Sequence, residues 1–263
     1  MSKSATALLH SLLDFAEDKE LIEAEDRAYC LNRLLEIMGM DAPEGERPAR
    51  APSPETATSI LEPLLELASA FPSCLPLPAD LTDPSRVEAL FAAIRTHTDH
   101  LDILINNAGA AHIGLLQDMT PEEWDRILSL NLRSAFLCCR QALPAMIHRG
   151  AGVILNISSI WGQVGASCEV AYSASKGGLD AFTRALAKET APSHIRVNAI
   201  SCGVIDTPMN GFLSAPERQA LTENIGLGRY GRPEEVADLA RFLCSEKASY
   251  LSGEVVALNG CFL

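Results

Sequence analysis

The chain has 263 residues, a length that suits one large α/β domain or two small ones. Hydrophobic residues make up 48% of the sequence and charged residues 21%, a composition that excludes global disorder. The net charge of −13 disfavours nucleic acids and anionic membranes as partners, because both attract basic surfaces.

The N-terminal residues 1–74 are predicted to form a helical segment. Apolar residues recur at helical spacing over residues 5–16 and 21–38, and a shorter helical pattern runs from Ile60 to Ala70. Residues 41–55, DAPEGERPARAPSPE, are rich in proline and charge and are typical of a linker. The start of the chain lacks the pattern of a cleavable signal, and no apolar run reaches the roughly 18–20 residues of a membrane span, so we expect a cytoplasmic protein.

From Leu75 the pattern changes to short apolar runs that alternate with helical stretches, which predicts a parallel sheet. Thr120-Pro121-Glu122-Glu123 and Arg232-Pro233-Glu234-Glu235 mark helix starts, and Gly150 marks a helix end. The eight cysteines include no CxxC pair and no zinc spacing, so we predict reduced thiols and no metal site. The predicted strands are Leu75–Pro78, Ile103–Asn106, Val153–Ser158, Ile195–Ile200 and Val255–Leu258.

Tyr172 and Lys176 lie four residues apart in the helical stretch AYSASKGGLDAFTRALAKE, so they share one helix face. A tyrosine has an ordinary pKa of about 10, and a nearby ammonium lowers that value by stabilising the phenolate. The pair can therefore act as a general acid or base towards an alcohol or a carbonyl. Alone, this spacing is a weak signal and is more typical of an exposed surface pair. Ser159, at the end of the run VILNISS, adds a hydroxyl that could hydrogen-bond a substrate oxygen.

The segment from about Asp80 to the C-terminus resembles the short-chain dehydrogenase/reductase family. The motifs ADLTD, NNAG, a helical asparagine, NISS, YSASK, RVNAI, VIDTPM and SGEVVALNG occur in the family's order. The resemblance covers about 70% of the chain and implies an incomplete Rossmann-like parallel sheet flanked by helices, an α/β fold. It also implies a ketone reductase that uses NADP or NAD, and a homo-oligomer in which the helices Pro121–His148 and Ala171–Glu189 pair.

The resemblance assigns roles to matching residues. Tyr172 would donate the proton, and Lys176 would lower the pKa of Tyr172 and hold the nicotinamide ribose. Ser159 would polarise the carbonyl, and Asn131 would sustain a proton relay through water. The remaining residues of the implied cofactor site are Asp80, Asn107, Ala108, Gly109, Val204 and Thr207. As alternatives from local sequence, Asn107 and Gly109 could form only a tight turn, and Thr207 could cap a helix.

Within the family, HIGLLQDMTPEEWDRIL and SSIWGQVGASCEVAYSASKG are most similar to the bacterial reductase of the 5-aminopentanone group on elongation factor P. The next resemblance is to 3-oxoacyl-carrier-protein reductases. The first implies a keto-amine carried on a protein, with Glu169 contacting the ammonium and Trp161 the alkyl chain. The alternative is that Glu169 is a solvated loop acid.

The N-terminal part departs from this family. Family members open with a strand, a glycine-rich loop and a helix that receive the cofactor's pyrophosphate. Residues 1–78 contain only Gly39 and Gly45, so the first two strands and the loop are expected to be missing. Cys202 also stands where the family has proline.

Residues 1–70 instead resemble the N-terminus of Gram-positive-type UDP-glucose–hexose-1-phosphate uridylyltransferases, through LIEAEDRAYCLNRLLEIMG and ILEPLLELA. The His-Pro-His motif of that activity is absent, so we reject it. The chain thus has the pattern of a fusion, with domains 1–74 and 75–263. Two hypotheses remain: an NAD(P)H-dependent reductase with weak cofactor binding, and a catalytically silent protein that keeps a reductase scaffold.

Overall fold

The structure is a computed structural model that describes residues 75–210 and 213–262. The predicted helical segment 1–74 and its linker therefore lie outside the described residues. The chain divides into two compact units, Met1–Leu90 and Phe91–Leu263. All the strands of the described residues, and every predicted site residue except Asp80, belong to the second unit.

The second unit is built on a parallel sheet. Its four strands in the described residues lie in the order β1-β2-β3-β4, so each strand pairs with its neighbours in chain order. This confirms the predicted α/β fold and four of the five predicted strands. Leu75–Pro78 is not a strand, which corrects that prediction: its two prolines have no N–H to donate to a sheet. The strands are β1 (Ile103–Asn106), β2 (Gly152–Ser159), β3 (Ile195–Cys202) and β4 (Val255–Leu258).

Helices connect and cover the strands. Thr120 begins α2 with the predicted capping box: its side chain accepts from the Glu123 amide, and the Glu123 carboxylate accepts from the Thr120 amide. Gly150 ends α3 in the left-handed conformation, with φ of 67°, as its position predicted. The helices are α1 (Pro84–Arg95), α2 (Pro121–Leu128), α3 (Ser134–Arg149), α4 (Trp161–Val164), α5 (Val170–Thr190), α6 (Ala215–Glu223) and α7 (Pro233–Cys244).

The core lies on both faces of β2 and β3. Alternate residues of a strand point to opposite faces. Leu155 packs with Leu243 of α7, whereas the neighbouring Asn156 donates to Thr183 of α5 at 2.8 Å. Helices α5 and α7 therefore cover opposite faces of the two central strands, which holds the carboxyl ends of those strands in fixed positions.

Strand β1 forms the edge of the sheet in the described part of the chain, where it pairs with β2 alone. Ile103 and Ile105 of this strand are 41% and 48% exposed, unusual values for isoleucine in a parallel sheet. The expectation that the family's first strands are missing concerns residues 1–78, nearly all of which lie outside the described residues, so it stays a prediction.

Candidate active site

The candidate site lies at the carboxyl ends of the parallel strands, where ligands bind in open α/β sheets. Asn107, Ala108 and Gly109 follow β1 directly, and Ser159 is the last residue of β2. The loop with Val204 and Thr207 follows β3. Because the strands are parallel and in register, these three segments meet at one edge of the sheet.

Tyr172 and Lys176 occupy adjacent turns of α5, as the spacing predicted. The Lys176 Nζ lies 5.7 Å from the centre of the Tyr172 ring and donates to the carbonyl of Ile157 at 2.8 Å. The lysine is only 4% exposed, and this burial lowers its pKa to about 8. Lys176 therefore bridges α5 and β2 beneath the site and remains mostly charged at neutral pH.

Burial raises the pKa of Tyr172 above its ordinary value, and the charge of Glu169 raises it further. A hydrogen bond with the Ser159 side chain acts in the opposite direction but does not outweigh burial. The sequence-based expectation that Lys176 lowers this pKa is thus not met. Burial destabilises the phenolate by more than the hydrogen bond with Ser159 stabilises it.

Asn131 is held at the centre of a short π-helical turn, Ser129–Arg133, between α2 and α3. Its Oδ1 accepts from the Ala110 amide at 2.8 Å, and its Nδ2 donates to the Ala110 carbonyl at 2.9 Å. The same Nδ2 donates to Ser175 Oγ at 3.0 Å. Asn131 therefore joins the turn after β1 to helix α5. Irregular π turns of this kind occur frequently at functional sites.

Ser175 was not singled out from the sequence, although it lies inside YSASK. It is fully buried, accepts from Asn131 and donates to the Tyr172 carbonyl at 2.7 Å. Gly162 was missed as well. A Cβ at Gly162 would stand 2.7 Å from the backbone carbon of Lys176, so only glycine lets α4 approach α5. Both contacts join segments distant in sequence, and no local pattern reveals them.

Gly109 lies directly beside Asn131 and Lys176. A Cβ at this position would come within 3.1 Å of Asn131 Oδ1 and 3.4 Å of Lys176 Nζ. The missing side chain leaves space next to the lysine. The structure thus brings Gly109, Asn131 and Lys176 together.

The other predicted cofactor residues have simpler surroundings. Asn107 and Ala108 are exposed. The Val204 carbonyl accepts from the Gly231 amide at 2.9 Å, and the Thr207 carbonyl accepts from the Asn210 amide at 3.0 Å. Asp80 belongs to the other compact unit, where its carboxylate accepts from the amide and hydroxyl of Thr82 at 2.8 and 2.7 Å.

The two predicted substrate residues, Trp161 and Glu169, lie close in sequence to Ser159 and Tyr172. The Trp161 amide donates to Ser159 Oγ at 3.2 Å, which fixes the Trp161 backbone beside the serine. Glu169 precedes α5, and its carbonyl accepts from the Ser173 amide at 2.8 Å. Burial raises the pKa of the Glu169 carboxyl. The charge of Glu169 is one of the causes that raise the pKa of Tyr172.

Cys202, in the place of the family's proline, pairs with Ser159 in the register of β2 and β3. Its carbonyl accepts from the Ile160 amide at 2.9 Å. Burial raises the pKa of its thiol to about 11, so the thiol is neutral at physiological pH. The substitution leaves β3 intact.

Within residues 75–210 and 213–262, no group of three or more His, Cys, Asp and Glu residues could hold a metal ion. In the same part of the chain, no helix has the length and apolar character needed to cross a membrane.

Known proteins similar to this chain are reductases. A family profile described as enoyl-(acyl carrier protein) reductase matches residues 56–262. The chain is 43% identical to the 3-oxoacyl-[acyl-carrier-protein] reductase FabG of Aquifex aeolicus over 181 residues, 69% of this chain and 73% of that protein. It is 36% identical to the FabG of Thermotoga maritima over 201 residues, 76% and 82% of the two chains.

A further relative is the uncharacterized oxidoreductase YmfI of Bacillus subtilis. It is 40% identical over 184 residues, which are 70% of this chain and 75% of that protein.

Proposed function

Because the chain belongs to the short-chain dehydrogenase/reductase family, we propose that it reduces a ketone to an alcohol with NADPH or NADH. The observation that carries the proposal is the convergence of four side chains at the carboxyl ends of the sheet. They are the buried amide, hydroxyl and ammonium groups of Asn131, Ser159 and Lys176 and the half-buried phenol of Tyr172.

The residues around Lys176 fit the nicotinamide end of such a cofactor. The lysine ammonium has three protons, of which Ile157 accepts one, and the glycine at position 109 leaves room beside it. In this proposal Lys176 holds the ribose hydroxyls, and Val204 and Thr207 approach the carboxamide. The cofactor, when bound, supplies the hydride. Asn107 and Ala108 would serve the adenosine side.

Tyr172 is suited to the role of proton donor. Since burial raises its pKa, the phenol is protonated at neutral pH and holds a proton ready for the alkoxide that forms on reduction. Ser159, which interacts with the phenol, orients the substrate oxygen. Asn131 fixes the turn after β1 against α5 and would support a water that returns the proton.

Glu169 supports a substrate that carries a positive charge near the ketone. A half-buried carboxylate is costly unless a cation faces it, and the Glu169 carboxyl lies close enough to affect Tyr172. A keto-amine such as the 5-aminopentanone group on elongation factor P would supply that cation and lay its alkyl chain against Trp161. The second candidate is a 3-oxoacyl thioester, favoured by the identity to the FabG reductases.

The two substrate classes are separable by one assay. The full chain is mixed with NADPH or NADH and with either 5-amino-2-pentanone or an acetoacetyl thioester, and loss of reduced nicotinamide is followed. Glu169→Gln should lower kcat/KM for the amino ketone by about tenfold or more and leave the thioester nearly unchanged, since one charge-assisted contact contributes about 1.5–3 kcal/mol. Equal effects on both substrates would contradict the role of Glu169.

The same assay decides between a reductase and a silent scaffold. Turnover of either ketone that disappears in Tyr172→Phe supports the reductase. Failure to bind or oxidise either cofactor at any practical concentration would support the silent alternative. A cytoplasmic location and a homo-oligomer complete the proposal.

A further inference from the structure

The last described residues of the chain lie along the same sheet edge as the site. The Gly203 amide donates to the Leu258 carbonyl at 2.9 Å, which fixes the end of β4 beside the end of β3. A Cβ at Gly203 would come 2.6 Å from Asn259 Cα, so the chain after β4 passes tightly over the loop that follows β3. The C-terminal tail, residues 259–262, therefore lies at the candidate site.

This tail is fixed by backbone pairing to the segment after α6. Ile225 and Phe262 form an antiparallel bridge. The Gly226 amide donates to the Cys261 carbonyl at 3.1 Å, and the Leu227 amide donates to the Gly260 carbonyl at 3.0 Å. Three successive backbone contacts place the tail as one strand of a small ribbon, so the position of Phe262 is set by the fold.

Phe262 packs against Trp161. The ring centres are 5.3 Å apart and the ring planes meet at 84°, the edge-to-face arrangement that aromatic pairs prefer. The backbone of Trp161 is fixed on its other side, since its amide donates to Ser159 and the next residue, Gly162, packs on Lys176. Trp161 therefore contacts Ser159 through its backbone amide and the C-terminal tail through its indole.

We propose that Phe262 is a specificity-determining residue, which holds the Trp161 ring as a wall of the substrate pocket and limits the size of the group beside the ketone. This inference rests on the proposed function, because it concerns the same pocket. Removing the Phe262 ring frees the indole to change rotamer, so the pocket would accept bulkier ketones and lose contacts to small ones.

Trp161 provides a readout that does not need turnover. The chain has two tryptophans, so Trp124→Phe leaves Trp161 as the only one. In this background, Phe262→Ala should shift the emission to longer wavelength and increase quenching by acrylamide, because the indole loses its ring contact. Tyr250→Ala, at a fully exposed tyrosine, is the matched control and should leave both signals unchanged.

Specificity is measured in the same variants by quenching of Trp161 on titration with ethyl acetoacetate or ethyl benzoylacetate, with NADP⁺ present. Phe262→Ala should change the ratio of the two dissociation constants by about threefold to tenfold in favour of the bulkier ester, the range expected for one aromatic pair. Phe262→Leu, which keeps an apolar side chain, should show a smaller change.

The outcomes separate this inference from the proposed function. Unchanged emission in Phe262→Ala, or changed emission with an unchanged affinity ratio, would overturn the role of Phe262. If neither ester binds the unaltered chain, the role of Phe262 fails. The proposed function is decided separately, by turnover of 5-amino-2-pentanone or the acetoacetyl thioester in the unaltered chain.

Discussion

Two neighbouring residues of α5 have pKa values that burial moves in opposite directions. The neutral form of each is favoured, which raises the pKa of the Tyr172 phenol and lowers that of the Lys176 ammonium to about 8. For a reductase this arrangement keeps the proton on the tyrosine until the substrate oxygen becomes negative. Both residues therefore lend themselves to direct tests.

Tyr172→Phe should lower reductase turnover by about 10²–10⁴-fold, because it removes the transferable proton and keeps the ring. The measurement is kcat with 5-amino-2-pentanone or the acetoacetyl thioester, whichever the unaltered chain reduces faster. Tyr250→Phe is a control at an exposed position. Full activity in Tyr172→Phe would show that the proton comes from another group.

Lys176 makes stability depend on pH. Its pKa falls from 10.5 in the unfolded chain to about 8 in the fold, so the folded state releases this proton first and stability gains from this group as pH rises between those values. Below pH 8 both states carry the proton, and burial of the charge is fully unfavourable.

The quantity to follow is the free energy of unfolding of Lys176→Met minus that of the unaltered chain. We expect this difference to be highest below pH 8 and to fall by roughly 3 kcal/mol as the pH rises to 10.5, because the unaltered chain gains stability over that range. The hydrogen bond to Ile157 that the variant loses does not alter the sign of this trend. Urea denaturation across this pH range provides the measurement, and Lys188→Met, at an exposed lysine of the same helix, is the control. A difference independent of pH would contradict the buried-charge account.

At the scale of elements, the site depends on the contact between the short helix α4 and α5. Helix α4 is a single turn, too short to be stable alone, so its position comes from packing. Gly162 provides the contact surface, and the backbone of Lys176 and Gly177 lies directly against it. This contact fixes Trp161 and Ser159 relative to Lys176.

Gly162→Ala should force α4 away from α5, because the new Cβ would stand 2.7–2.8 Å from two backbone atoms. Overpacking of this kind costs about 1–3 kcal/mol, and we expect a matching loss of stability together with at least a tenfold loss of turnover. Thermal denaturation and the reductase assay test both. Gln163→Ala, an exposed position in the same turn, should change neither, and an unaltered Gly162→Ala variant would show that α4 moves freely.

At the scale of the whole molecule, an open groove of about 480 Å³ lies between the α2–α3 segment and α5. Its apolar lining includes Leu128, Leu132, Phe136 and Phe182, and Phe136 is 45% exposed. Leu137 and Leu186, also named from the sequence as apolar residues of these helices, are instead buried in the core. The groove is thus the part of the predicted pairing surface that remains accessible.

We expect the chain to form a homo-oligomer through this groove at micromolar concentration, since exposed apolar patches commonly mark interfaces. Phe136→Glu places a charge there and should yield a smaller species by light scattering. Tyr250→Glu, at an exposed aromatic residue, is the control. A monomeric unaltered chain would contradict the prediction.

Cofactor affinity is also a property of the whole chain. The residues suited to the nicotinamide end are present, whereas residues 1–78 lack the glycine-rich loop that receives the pyrophosphate, in a chain of net charge −13. Charge-assisted hydrogen bonds contribute about 1.5–3 kcal/mol each, so losing two or three should weaken a micromolar site to millimolar. Calorimetry with NADPH and NADH measures this. A dissociation constant in the low micromolar range would mean that another part of the chain receives the pyrophosphate.

The sequence by itself determined the elements whose signals are local. Short apolar runs between helical stretches predicted β1 to β4. The capping box predicted the start of α2, and Gly150 predicted the end of α3. The four-residue spacing placed Tyr172 and Lys176 on adjacent turns, because a helix repeats every 3.6 residues. The prediction of a strand at Leu75–Pro78 was wrong, because its two prolines have no N–H to donate to a neighbouring strand.

Only the tertiary structure decided what depends on segments distant in sequence. The bonds from Asn131 to Ala110 and Ser175, the contact of Gly162 with Lys176, and the packing of Trp161 on Phe262 all join different elements. The net pKa direction of Tyr172 belongs to the same class. A neighbour four residues away can be read from the spacing, but desolvation is the summed effect of every group that excludes water, and only packing reveals that sum.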